Sequence, residues 1–252
     1  MVTFKIFKLM ENNSKLFTYL DLAIKFNLYS NKHNLKEHLS FVFQNTNLNN
    51  KRLLDIGGGV GILSFYAATL GAESVCLEPE FDGSTVGFAN NFLKFKSRLP
   101  FSVNAELIQK TFQDYNIEEK YDYIILANSI NHLDEENCIK LHSDSNSQQI
   151  YLAYFKKIFD ALNLNGKIII TDCTRYNFFN LLGIRSPFMP TIEWHKHQTP
   201  TVWTTLLINS GFKNPKIAWS YPNTLGKFGR FIFGNKIAAF FLLSHFRLEL
   251  TK

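Results

Sequence analysis

Cysteine is scarce in this chain of 252 residues: Cys76, Cys138 and Cys173 stand far apart, with none of the close pairs of a zinc or redox motif. A disulfide framework is therefore not expected, and the thiols read as a reduced, intracellular set. Charge is sparse too, 19% against 46% hydrophobic residues, so the chain can bury a full core without a metal or disulfide staple. Long apolar runs are missing. Ile237 to Leu243 is far shorter than the roughly 20 residues that span a bilayer, and Asn235-Lys236 interrupts it. Before Glu11 no uninterrupted apolar run follows Lys5 and Lys8, so no signal peptide is expected and the location reads as cytoplasmic. Acids are nearly absent from the last segment, where Lys213, Lys216, Lys227, Arg230, Lys236, Arg247 and Lys252 face Glu249 alone. That balance, within a net charge of +6, suits an anionic partner. The long Lys/Arg runs of a nucleic-acid arm are missing, so nucleic acid is not the expected partner.

What is present is a glycine-rich turn. Leu53-Leu54-Asp55-Ile56 reads as a buried strand running into Gly57-Gly58-Gly59-Val60-Gly61, and Ile62 to Leu70 has helical character. Glycines let a backbone take positive φ and approach a ligand closely, while the helix start behind them offers free N–H groups. Ser74 to Leu77 is a second strand ending at Glu78, an acid about 20 residues beyond the first glycine, where a ribose diol would be gripped. The spacing is G-x-G-x-G, and Ile62 stands where a dinucleotide fingerprint needs a small residue. A nucleoside-bearing cofactor other than a dinucleotide is expected.

On Asp55 through Gly61 and Glu78 the chain resembles the class I S-adenosylmethionine-dependent methyltransferases. The resemblance implies that the loop around Asp55, Gly57, Gly58, Gly59 and Gly61 wraps the amino-acid end of S-adenosylmethionine and that Glu78 binds both ribose hydroxyls. In that family an acid often follows the third strand to meet the adenine. Lys110, Thr111 and Phe112 stand there instead, which leaves Thr111 and Phe112 as adenine contacts.

The alternation of strand and helix from Lys51 onward predicts an α/β fold, a Rossmann-like seven-stranded sheet, mostly parallel with an antiparallel last strand and helices on both faces. Residues 1–50 read as a helical cap, with helical spacing in Leu16, Tyr19, Leu20, Ala23 and Ile24 and again in Leu35, His38, Leu39 and Val42. Residues 51–252 form the cofactor-binding domain. Further elements are a helix over 82–93, strands over 105–109 and 121–128, a solvent loop over 143–149, and a helix over 150–162 ended by Asn165-Gly166. After these come strands over 167–171, 216–221 and 245–250 and a helix over 201–209. Insertions fall at about 173–198 and 223–244, the second rich in phenylalanine and read as a packed hairpin or a dimer contact, or as a peripheral membrane contact.

Ligands in open α/β sheets sit at the carboxyl ends of the strands, which brings Asn128 into the cofactor site and His132 near the reacting groups. Methyl transfer to a hydroxyl requires alignment and a general base. His132 is one candidate, or a helix cap; Asp172, at the exit of the fifth strand, is another, or binds its own loop. Glu193, His195 and His197 alternate, which on an extended segment puts three side chains on one face, as metal ligands or as the wall of a substrate pocket. The pocket reading prevails and no metal is expected; Arg175, Tyr176, Asn177, Glu193 and His195 then hydrogen-bond a polyhydroxylated or anionic acceptor. The stretch from Thr171 to His197 is similar to uncharacterised bacterial methyltransferases of surface-glycan type, implying a small-molecule or sugar acceptor methylated on oxygen, with a lipid-linked form open. A nucleic-acid methyltransferase is the alternative, although Asn128-Ser129-Ile130-Asn131 lacks the prolines of the base-methylating motif. A binding or scaffold protein that keeps the cofactor fold without catalysis is a third reading.

Overall fold

In a computed structural model, residues 2–79 and 87–252 are described, and they form two compact units, 1–116 and 117–252. The seven strands follow the order β3-β2-β1-β4-β5-β7-β6 in one sheet.

The first unit contains α1 (Val2–Lys25), α2 (Lys32–Val42), β1 (Arg52–Ile56), α3 (Ile62–Thr69), β2 (Glu73–Leu77), α4 (Phe88–Arg98) and β3 (Ala105–Ile108). The apolar runs of β1 and β2 pair in parallel, Leu54 opposite Val75, and β2 pairs in the same sense with β3. Both N-terminal helices predicted from spacing are present. Asn31 caps α2 by accepting from the Asn34 N–H at 2.8 Å. Tyr19 anchors α1: its ring is fully buried, its hydroxyl donates to the Ile62 carbonyl at 2.7 Å, and it meets Phe95 edge to face at 6.0 Å. The helix predicted over 82–93 is observed from Phe88 as α4; residues 82–86 lie outside the described residues.

The second unit contains β4 (Tyr121–Ala127), α5 (Glu135–Lys140), α6 (Ser145–Ala161), β5 (Leu162–Cys173), α7 (Phe178–Leu181), α8 (Pro200–Asn209), β6 (Lys213–Trp219), α9 (Gly226–Phe233), α10 (Lys236–Phe241) and β7 (His245–Thr251). β4 and β5 are parallel, and β7 runs antiparallel to both β5 and β6. Its core includes Trp203 of α8 between Tyr151 and Phe155 of α6, at 5.3 and 6.0 Å.

Three local expectations are corrected. The segment 143–149 is not a solvent loop: Asp144 accepts from the Ser147 N–H at 2.7 Å and starts α6 there. Asn165-Gly166 does not separate helix from strand, because β5 already begins at Leu162. The pair sits where the β4–β5 register shifts, with Asn165 at φ +63°. The aromatic insertion is two short helices, α9 and α10, rather than a hairpin.

Candidate functional site

In the first unit, β1 runs into the glycine turn, where the glycines serve different ends. Gly57 and Gly59 have φ of +71° and +54°, and Gly61, at +83°, precedes α3. A Cβ on Gly58 would lie 2.6 Å from Cys76 Sγ and 2.7 Å from Asp55 Oδ2, and one on Gly61 would meet the Phe92 ring at 2.6 Å. Beside Gly59 no described atom lies within 4 Å of the same point, so the turn is closed on its inner side and open there.

Two carboxylates flank the turn, Glu78 against Gly59 and Asp55 on the closed side against Gly58. Glu78 Oε2 accepts from the Gly59 N–H at 2.9 Å, joining the end of β2 to the turn. Asp55 is fully buried. Its Oδ2 accepts from the Ser64 hydroxyl at 2.8 Å, while Oδ1 has no hydrogen-bond partner among the described residues. Burial pushes the Asp55 pKa up to about 7, with Ser64 opposing and the Glu78 charge adding to the rise. A buried acceptor without a donor, beside a turn open at one glycine and a helix start, fits a ligand that brings a cation or hydroxyls. Ser64 was not foreseen; its only sequence signal is a polar residue in the apolar first turn of α3. Thr111 and Asp114 bind each other, the Thr111 hydroxyl donating at 2.7 Å and accepting from the Asp114 N–H at 3.1 Å, and Phe112 is buried.

In the second unit the buried Asp172 is the penultimate residue of β5. Its Oδ1 accepts from the Cys173 N–H at 2.7 Å and lies 2.9 Å from His197 Nδ1; Oδ2 has no partner among the described residues. The carboxylate makes Nδ1 the donor nitrogen of His197 and leaves Nε2 as the acceptor. Close by, His245 Nε2 lies 2.7 Å from Asn128 Oδ1. Burial lowers the His245 pKa, Asp172 raising it and His197 lowering it further, so this imidazole stays neutral near pH 7. Asn128 directly follows β4 at φ +54°, its N–H donating to the Thr171 carbonyl at 2.7 Å.

The other expected residues of this unit differ in exposure and in partners. His132 is exposed in a 3₁₀ turn, its Nδ1 2.6 Å from Glu135 Oε1. Glu193, His195 and His197 do not share a face, because residues 194–196 form a 3₁₀ turn rather than an extended strand: Glu193 pairs with Lys196 at 2.9 Å, His195 is exposed and His197 is buried. Among the described residues no group of three His, Cys, Asp or Glu side chains is placed to hold a metal ion. Arg175 Nη1 lies 3.0 Å from His142 Nδ1, and Tyr176 is exposed. Asn177 is fully buried, its amide donating to Ser244 Oγ at 2.8 Å.

A family model described as a methyltransferase domain matches residues 28–216. No curated protein matches the chain. Among solved structures, an S-adenosylmethionine-dependent methyltransferase from Mesorhizobium loti is 11% identical, covers 82% of this chain and 93% of its own, and superposes with a TM-score of 0.56. A second, from Aquifex aeolicus, is 11% identical over 81% of this chain and 84% of its own, at 0.52. The plantazolicin methyltransferase BpumL, in complex with S-adenosylhomocysteine, is 14% identical over 98% of this chain and 89% of its own, at 0.51. At these identities the likeness is one of fold.

Proposed function

We propose, from the premise that this chain belongs to the methyltransferase-domain family, that it moves the methyl group of S-adenosylmethionine to a hydroxyl oxygen of a small-molecule or sugar acceptor. The cofactor reading draws on the family and on the S-adenosylhomocysteine bound to the similar BpumL. In the first unit Glu78 takes the ribose hydroxyls, the turn from Gly57 to Gly61 cradles the amino-acid end, and Asp55 offers Oδ1 to the ammonium, with α1 and α2 as the cap. When bound, the cofactor supplies a sulfonium-activated methyl group.

The observation that carries acceptor chemistry is the buried His197–Asp172 pair at 2.9 Å. Asp172 holds the Nδ1 proton and orients the ring. His197 Nε2 would accept the proton that the acceptor hydroxyl gives up, and the carboxylate would stabilise the resulting imidazolium. Arg175, Tyr176, Glu193 and His195 are the polar groups assigned to the acceptor's other hydroxyls.

Calorimetric titration of the purified chain with S-adenosylmethionine, S-adenosylhomocysteine and NAD tests the cofactor. Micromolar binding of the first two, none of NAD, and a loss of about tenfold or more in Glu78→Ala are expected, since two hydrogen bonds to a charged group disappear. Absence of binding would turn the reading toward a scaffold without catalysis.

A further inference from the structure

The helix α9 is turned the wrong way round for a soluble protein. Phe228, Phe231 and Ile232 stand at i, i+3 and i+4 and therefore share a face, yet Phe228 and Phe231 are 70% and 90% exposed. The buried position is Gly229, packed so closely that a Cβ there would lie 2.4 Å from Leu225 Cβ and 3.1 Å from the Tyr221 ring. The small residue points inward and the aromatic face outward. α10 continues the pattern with Ile237, 74% exposed, and Phe241.

This face joins the other insertion of the same unit. Phe241 lies 5.1 Å from Phe178, Phe178 is 5.4 Å from Phe179, and Phe179 is 6.1 Å from Phe188. Leu181, Leu182 and Ile184 are exposed along the same segment. Such a concentration of large apolar side chains in water marks a contact surface. Its charge says which kind: residues 178–188 and 226–241 hold Arg185, Lys227, Arg230 and Lys236 and no acid, and Arg185, Arg230 and Lys236 are exposed.

We propose that α9, α10 and the 178–188 segment form a docking face for an anionic lipid bilayer surface, the aromatic side chains entering the acyl boundary and the basic ones meeting the headgroups. Among the described residues no helix is long and apolar enough to cross a membrane, and this contact requires none. Docking brings the unit that carries His197 and Asp172 to a lipid-linked acceptor. That consequence rests on the methyl-transfer reading; the docking itself does not.

Flotation of the full chain with vesicles of phosphatidylcholine alone, or mixed with phosphatidylglycerol, tests docking without turnover, so it stands or falls apart from the methyl-transfer reading. The chain should float with the mixed vesicles only, and less as salt is raised. Phe228→Ser with Phe231→Ser should lower partitioning about tenfold or more, and Lys236→Glu should weaken it. Circular dichroism of these variants should match the parent, because the side chains make little contact with the core. The proposal is overturned if no flotation occurs with anionic vesicles, if the double substitution leaves it unchanged, or if sedimentation shows a dimer that the double substitution dissociates.

Discussion

His197 Nδ1 lies 2.9 Å from Asp172 Oδ1 across 25 positions of sequence, and the same carboxylate oxygen accepts from the Cys173 N–H, so the oxygen that orients the imidazole is itself held by the backbone. A histidine held in one tautomer by a buried acid is an oriented base. His132, by contrast, is exposed and faces Glu135.

The two histidines therefore separate by kinetics. His197→Ala should lower kcat about 100-fold or more, the usual contribution of a positioned proton acceptor, while the affinity for S-adenosylmethionine stays within about twofold. Asp172→Asn keeps the volume of the side chain but loses the charge that stabilises the imidazolium, and should cost at least about tenfold in kcat. His132→Ala should leave kcat nearly unchanged. Single-turnover rates with labelled methyl groups would decide, and the reverse ranking would return the role of base to His132.

That contact was hidden in the sequence for a physical reason. β1, β2 and β4 are short, mostly apolar runs and β7 alternates apolar with charged residues, and their period and flanks give them away. Gly57, Gly59, Gly61 and Glu78 are legible because a tight turn and a strand end are local features. His197 meets Asp172 through a loop with no period, and His245 stands opposite Cys173 only through the antiparallel β5–β7 register, which no local pattern reports. The start of α6 is not legible in sequence because Asp144 and Ser147 look like loop residues until one caps the other. In α9 the amphipathic spacing is plain, but spacing alone does not say which face is buried.

Asp55 links protonation to stability. Its folded pKa of about 7, raised by burial from an ordinary 3.8, means that the folded state binds more protons than the unfolded state between those values. Stability of the ligand-free chain should therefore fall as pH rises from about 4 to about 7, by roughly 4 kcal/mol at most from this group. Asp55→Asn should flatten that slope, as read from urea midpoints across the range. A cation placed against Oδ1 favours the ionised form, so binding of S-adenosylmethionine near pH 6 should release a proton. Calorimetry in two buffers of different ionisation enthalpy would detect it; identical heats would remove Asp55 from the binding site.

Glu249 of β7 joins Arg247 at 2.6 Å and Lys167 at 2.8 Å, with Glu249 and Arg247 both buried. Burial opposes the Glu249 charge, but the two cations hold its pKa below the ordinary value, so its contribution to stability is present above pH 4.5 and is lost as pH falls through the folded value. Glu249→Ala leaves Arg247 buried without that carboxylate and should cost about 3 kcal/mol, because removing one partner of a buried pair exposes the full desolvation cost of the other. Glu249→Leu combined with Arg247→Met removes both charges and keeps the volume, so it should cost clearly less than the single change. Denaturant titration of the parent, the single variants and the double variant would measure the coupling. If the double loss equals the sum of the single losses, the pair does not act as a unit, and the stability of β7 between β5 and β6 rests on its apolar residues Phe246, Leu248 and Leu250 alone.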